Sequence, residues 1–99
     1  MLNNGSETIN IASTVIQPEN CDALNLVYSL KKLAGPEGED LYALRVDKRT
    51  PSGTLIEREE TPAITGSLDD ATAIASAFAA GTVPPCVLLE MVDEWYSTI

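Results

Sequence analysis

Hydrophobic residues recur at two different periods along the chain: every second position over much of the first sixty residues, and every three or four positions in the last third. The segment "TINIASTVI" (8–16) places Ile9, Ile11 and Val15 on one alternating face, which is typical of a strand with one buried side. Such a strand could pair within the sheet of its own chain or, through an exposed edge, with another molecule.

Three further segments alternate in the same way and are separated by two turn sequences. They span residues 23–34, 41–49 and 54–60, and the intervening "GPEGED" and "TPSG" supply the glycine and proline that tight reversals favour. Alternation of apolar with polar residues indicates an antiparallel sheet with one face in contact with water. The following "TPAITG" (61–66) is either a short additional strand or a connection.

The period then changes to that of helices. Ser67 stands three residues before Asp70, a spacing that resembles a capping box, and Gly81 is placed to end the helix. A second helix is predicted to begin at the proline pair of "VPPCVLLEMVDEW" (83–95), because proline is tolerated in a first helical turn. The two apolar stripes are Ala71, Ile74, Ala75 and Phe78 in the first helix and Leu88, Met91, Val92 and Trp95 in the second.

These elements predict an α+β fold, with an antiparallel sheet of three to four strands and two C-terminal helices packed on one face. Residues 1–7 are expected to form a flexible N-terminus and residues 8–99 a single domain, large enough to bury one core without a metal or a disulfide. The predicted core consists of Leu26, Tyr28, Leu44, Val46, Ile74, Phe78, Leu88, Val92 and Trp95.

The charge balance is strongly acidic, with 15 acidic and 6 basic residues and a net charge of −9. Such a surface repels phosphate backbones and anionic membranes, which disfavours direct binding of nucleic acid or of a membrane. The excess of acid serves solubility or steers a protein partner with a basic surface towards the chain. The oligomeric state is left open between monomer and dimer. The possible interaction face consists of Asp69, Asp70, Glu90, Asp93 and Glu94.

Candidate chemistry is confined to one thiol. The chain contains no histidine, and Cys21 and Cys86 form no metal-binding spacing, so no catalytic residue, cofactor or metal site is predicted. Cys86 falls in the first turn of the last helix, where the pKa of a thiol is lowered, and is a possible reactive thiol. Because a nucleophilic cysteine needs a partner base, we expect a packed thiol at this position instead.

The expected compartment is the cytoplasm. No run approaches the roughly 20 apolar residues that cross a bilayer, and "MLNNGSETIN" lacks the basic and apolar regions of a secretory signal. Both cysteines are then expected to be free thiols, as is usual in a reducing compartment.

The last third of the chain also carries a short motif. The residues that form it are Gly81, Val83, Pro84, Leu88, Leu89, Glu90, Val92, Asp93 and Glu94. This stretch resembles a family of small uncharacterised proteins of anaerobic Gram-positive bacteria. In that family a short helix ends in Gly or Asn, a Val-Pro or Leu-Pro step follows, and the chain closes on a helix of the form "LxEVVEDxL". The resemblance implies an α+β architecture and, because the family is a domain of unknown function, it implies no activity.

Three functions fit these observations, and the first is favoured. The protein is expected to be a small cytosolic interaction or regulatory module without catalytic activity, because a globular pattern occurs with no catalytic constellation. One alternative is an acidic mimic of nucleic acid that occupies a basic surface of another protein. The other alternative is a thiol-dependent enzyme or redox sensor that uses Cys86.

Overall fold

The computed structural model describes residues 7–17 and 22–97. The greater part of the predicted flexible N-terminus, the turn at 18–20 and Cys21 lie outside the described residues; Glu7 is the first residue of a strand. The elements in chain order are β1 (Glu7–Ile16), β2 (Leu24–Ala34), β3 (Asp40–Arg49), β4 (Leu55–Glu60), α1 (Leu68–Ala80), a 3-10 turn (Pro85–Val87) and α2 (Leu88–Ser97).

The four strands form one antiparallel sheet in the order β1-β2-β3-β4, and the two helices follow it in the chain. The predicted α+β fold is therefore confirmed. The segment 8–16 pairs within this sheet, against β2, and leaves its other side as an edge of the sheet.

The pairing of β1 with β2 is interrupted by one extra residue. Asn10 lies opposite Ser29 and Ala12 lies opposite Tyr28, so Ile11 has no partner of its own. This β-bulge shifts the alternation of β1 by one position, because side chains in a strand change face at every residue.

The bulge decides which apolar residues of β1 are buried. Ile9, Ile11 and Ile16 pack against the core, whereas Val15 is 66% exposed. The predicted placement of Val15 with Ile9 and Ile11 is therefore wrong, because a strict two-residue period does not continue across a bulge.

The segment 61–66 is a connection that extends the hydrogen bonding of β3. The backbone N–H groups of Thr61 and Ile64 donate to the carbonyl oxygens of Leu44 and Tyr42, and Tyr42 donates to Thr65. Tyr42 and Thr65 form an isolated bridge rather than a strand pair. The open choice between strand and connection is thus settled in favour of a connection.

Both ends of α1 are closed by specific hydrogen bonds. The Ser67 side chain accepts a hydrogen bond from the Asp70 backbone at 3.1 Å, which confirms the predicted N-cap. The helix ends at Ala80 as predicted, but the residue with a left-handed backbone is Thr82, at φ 50°, and not Gly81, at φ −89°.

The proline pair begins the last helical segment in two steps. Pro85 starts a 3-10 turn, and α2 proper begins only at Leu88. Leu88 and Val92 are buried, and Met91 and Trp95 pack partly against the core, as the helical spacing predicts.

One core joins both helices to one face of the sheet. The Tyr28 hydroxyl donates a 2.8 Å hydrogen bond to the Val83 carbonyl, and the Phe78 and Trp95 rings meet edge to face with centroids 5.8 Å apart. The core contains every residue predicted for it, with Trp95 partly buried. The buried members are Leu26, Tyr28, Leu30, Tyr42, Leu44, Val46, Ala71, Ile74, Ala75, Phe78, Val83, Leu88 and Val92.

Candidate functional site

The other face of the sheet is not covered by any helix of the described chain. We call this surface the open face. By strand register its side chains are Thr8, Asn10, Ser13 and Val15 from β1, Asn25, Val27, Ser29, Lys31 and Leu33 from β2, Leu41, Ala43, Arg45, Asp47 and Arg49 from β3, and Leu55, Arg58 and Glu60 from β4.

A buried carboxylate lies at the centre of the open face. The residue Asp47 is only 3% exposed, although it is on the side of the sheet opposite to the core. Arg58, directly across on β4, donates from Nε and Nη2 to its two oxygens at 2.7 and 3.0 Å. Arg49 donates a third hydrogen bond at 2.9 Å. Both carboxylate oxygens are therefore engaged by arginine.

The arginines determine the protonation of this carboxyl. Burial by itself raises the pKa of Asp47, but hydrogen bonds from Arg58 and Arg49 and the charges of Arg58 and Arg45 outweigh it, so that the pKa is below its ordinary value. The hydrogen bond to Asp47 in turn raises the pKa of Arg58. At neutral pH Asp47 is thus a charged anchor that holds two guanidinium groups in fixed orientations.

A second carboxylate, that of Glu60, bridges two strands on the same face. Lys31 of β2 and Arg45 of β3 each lie 3.5 Å from one of its oxygens. Ala43 lies opposite Lys31 and two residues before Arg45 on the same face, next to the two cations that Glu60 binds, and it is only 2% exposed. Long charged side chains therefore shield the small residues of the open face from water.

The open face carries more positive than negative charge. Lys31, Arg45, Arg49 and Arg58 contribute four cations, and Asp47 and Glu60 two carboxylates, so two positive charges are in excess on a chain of net charge −9. Arg45 Nε is buried, lies 3.9 Å from Asp47 and has no hydrogen-bond partner. This cluster is therefore a set of oriented guanidinium donors that its own carboxylates only partly neutralise.

The predicted acidic residues lie on the helices and are exposed. Glu90, Asp93 and Glu94 share the outer side of α2, while Asp69 and Asp70 are in the first turn of α1. The helices meet at Phe78 and Trp95, and Asp70 is eight residues, roughly 12 Å of helix, from Phe78. The structure thus brings the acids of α2 together and leaves those of α1 as a separate group.

The Cys86 thiol is exposed in the 3-10 turn that precedes α2. The expectation of a packed thiol is therefore wrong. Pro85 and Leu88, on either side of it, are the buried residues of this segment, because they point into the core. The role of Cys86 as a reactive thiol stays a prediction.

The described residues hold neither a metal-binding group nor a membrane-spanning helix. No group of three or more histidine, cysteine, aspartate or glutamate side chains is arranged to hold a metal ion in residues 7–17 and 22–97. In the same ranges, no helix has the length and apolar character needed to cross a membrane.

Comparison with known proteins identifies the family. A model described as a family of unknown function, DUF6514, matches residues 7–98. The chain belongs to this family. The match covers the sheet as well as the helices, so DUF6514 extends well beyond the C-terminal motif. No curated protein and no solved structure matches the chain.

The arginine cluster was missed by inspection of the sequence, although part of its signal is visible there. Alternation in β3 places Arg45 and Asp47 together on the face opposite to Leu44 and Val46. Alternation alone does not predict the register of β4 against β3. That register includes a bulge at Ile56 and places Arg58 directly opposite Asp47.

Proposed function

We propose that the protein is a small cytosolic protein-interaction or regulatory module without catalytic activity. The proposal is carried by the separation of charge between its two layers. We call α1, the 3-10 turn and α2 together the helix layer. No lysine or arginine follows Arg58 in the sequence, so this layer contains five acidic residues and no basic one. The open face, in contrast, holds four of the six basic residues. A surface sorted in this way favours partners of complementary charge.

The first partner expected is a protein with a basic surface that docks on the helix layer. Glu90 and Glu94 are exposed one turn apart on α2, at a spacing where like charges repel each other slightly. A basic partner relieves this repulsion, and the negative potential of the helix layer steers it towards this surface. Binding of this kind weakens as salt rises, because exposed charges are screened over about 8–10 Å at 0.1–0.15 M ionic strength.

A pull-down from source lysate at low and high salt tests this proposal. The tagged protein is compared with a double variant, Glu90→Gln with Glu94→Gln, and with a control of the same net charge, Asp22→Asn with Glu37→Gln. Both control positions are exposed and lie outside the helix layer. We expect one reproducible partner that is lost at high salt and from the helix variant but is retained by the control.

Other outcomes separate the alternatives. A partner that is retained both at high salt and by the helix variant contradicts docking on the helix layer. The absence of any reproducible partner contradicts the proposal of an interaction module. If nucleic acid competes with the chain for the partner, the acidic mimic of nucleic acid is favoured over the interaction or regulatory module. Thiol chemistry is tested separately by the pH profile of Cys86 alkylation; an ordinary or raised thiol pKa excludes it.

A further inference from the structure

We infer that the open face is a second docking surface, of opposite polarity to the helix layer, and that it accepts an extended acidic segment of a partner protein through Arg45, Arg49 and Arg58. This inference concerns a different face from the proposed helix-layer contact and does not depend on it.

The guanidinium groups are held in place before any ligand arrives. Arg58 is fixed by two hydrogen bonds to Asp47, and Arg49 by one to Asp47 and one of 2.8 Å to the Gly53 carbonyl. Their side chains are nevertheless 37% and 31% exposed. Because each guanidinium has five N–H donors, both retain donors for a carboxylate from outside. Preorganised donors reduce the entropy cost of binding.

The positive charge of Arg45 is only partly compensated by the carboxylates of the cluster. Its side chain is 17% exposed, its Nε has no hydrogen-bond partner, and its contact with Glu60 is long, at 3.5 Å. Glu60 is also shared with Lys31. The buried Nε itself is out of reach of a ligand, but a carboxylate beside the guanidinium group would compensate a charge that Glu60 balances only weakly.

The spacing of the cations suits an extended ligand. Arg45 and Arg49 are four residues apart on β3, which corresponds to roughly 13 Å along the strand. In an extended segment, acids at alternate positions project to one side about 6.6 Å apart and can follow this row.

Apolar contacts are available at one end of the cluster. Val15, Asn25, Arg49 and Leu55 form one row across the four strands, and the two apolar members are 66% and 40% exposed. An acidic segment that also carries an apolar residue would cover this part of the row.

A long polyanion fits less well than a short acidic segment. The local excess is only two positive charges, and the rest of the chain is strongly negative, so a nucleic acid that extends beyond the open face meets repulsion. We therefore commit to an acidic protein segment, and oligonucleotide binding becomes an outcome of the test.

The test is an NMR titration of the ¹⁵N-labelled protein at low salt with a blocked hexaglutamate peptide and, separately, with hexathymidylate. We expect the peptide to shift the backbone amides of β3 and β4 and the Nε–H signals of the three arginines, with saturation. Arg45→Gln should raise the peptide Kd at least fivefold. Lys48→Gln, which removes the same charge from the opposite face of β3, where Lys48 pairs with Glu57 at 3.2 Å, should raise it less than twofold.

Lys31→Gln provides a second cluster variant whose folding is not at risk, because it removes only a partly exposed ion pair. We expect it to raise the Kd about threefold. The inference is overturned if the peptide causes no saturable shifts, if Lys48→Gln weakens binding as much as either cluster variant, or if hexathymidylate binds more tightly than the peptide.

Discussion

Asp47 is a charged side chain almost fully removed from water on a face of the sheet that no described helix covers. The hydrogen bonds from Arg58 and Arg49 compensate for its desolvation. A buried ion pair of this kind adds little net stability, but loss of one partner is costly because the other charges lose their compensation. The cluster therefore restricts which substitutions β3 and β4 tolerate.

Asp47→Asn should lower the free energy of unfolding by about 3 kcal/mol at pH 7, because three arginines are left around a neutral group. The loss should shrink as the pH falls below the ordinary Asp value of 3.8. In that range the unfolded state binds the proton before the native state does, so acid removes the stability that Asp47 contributes.

Urea unfolding of both proteins between pH 2.5 and 7 measures this difference. Glu57→Gln is the matched control, since it removes the carboxylate of a more exposed pair with Lys48 and should cost less than about 1 kcal/mol. A difference between Asp47→Asn and wild type that is constant down to pH 2.5 would contradict the lowered pKa of Asp47.

At the level of elements, α1 ends in a Schellman motif whose left-handed position is occupied by threonine. The Val83 N–H donates to the Phe78 carbonyl and the Thr82 N–H to the Ala79 carbonyl. The Thr82 backbone has φ 50°, which a β-branched residue adopts only at a cost. The helix is therefore stopped by its hydrogen-bond pattern and by the two prolines that follow.

Thr82→Gly should raise the free energy of unfolding by about 0.5–1 kcal/mol, because glycine accepts the left-handed conformation and the relief exceeds its added chain entropy. Thr82→Ala, which keeps the Cβ atom, should give no such gain. Thermal unfolding of the two variants measures the difference. A Thr82→Gly protein that is less stable than wild type would show that the threonine hydroxyl, which donates to the Gly81 carbonyl at 2.7 Å, matters more than the strain.

The bulge in β1 determines which of two neighbouring residues, Val15 or Ile16, tolerates a polar side chain. Val15→Thr should change the free energy of unfolding by less than about 0.5 kcal/mol, because Val15 is exposed. Ile16→Thr should cost about 1–2 kcal/mol, because Ile16 packs against the core. Chemical denaturation of the pair checks the register. The reverse order of the two effects would mean that alternation continues through Ile11 without a bulge.

At the scale of the whole molecule, two layers with different charge meet at one core. The sheet holds all six basic residues, between Lys31 and Arg58, and the helix layer holds none. The net charge of −9 therefore hides a local excess of positive charge on the open face. The pull-down and the peptide titration both depend on this separation of charge. Because their variants alter opposite faces of the molecule, either proposed surface can be refuted without the other.

Much of the fold could be predicted from the sequence because its causes are local. The two-residue period of β2 and β3, the cap at Ser67, the apolar stripe of α1 and the proline start of the last helical segment each depend on residues close together in the chain. The same period placed Arg45 and Asp47 on the face opposite to the core.

The remaining features arise from register, which neighbouring residues do not set. The extra residue at Ile11 places Val15 on the exposed side of β1. The extra residue at Ile56 shifts the register of β4, in which Arg58 lies opposite Asp47. Similarly, Cys86 is exposed because Pro85 and Leu88 take the buried positions around it. The sequence by itself determined the elements, the layer order and the net charge. Only the tertiary structure decided which charges meet on the open face, because strand pairing joins residues that are distant in the chain.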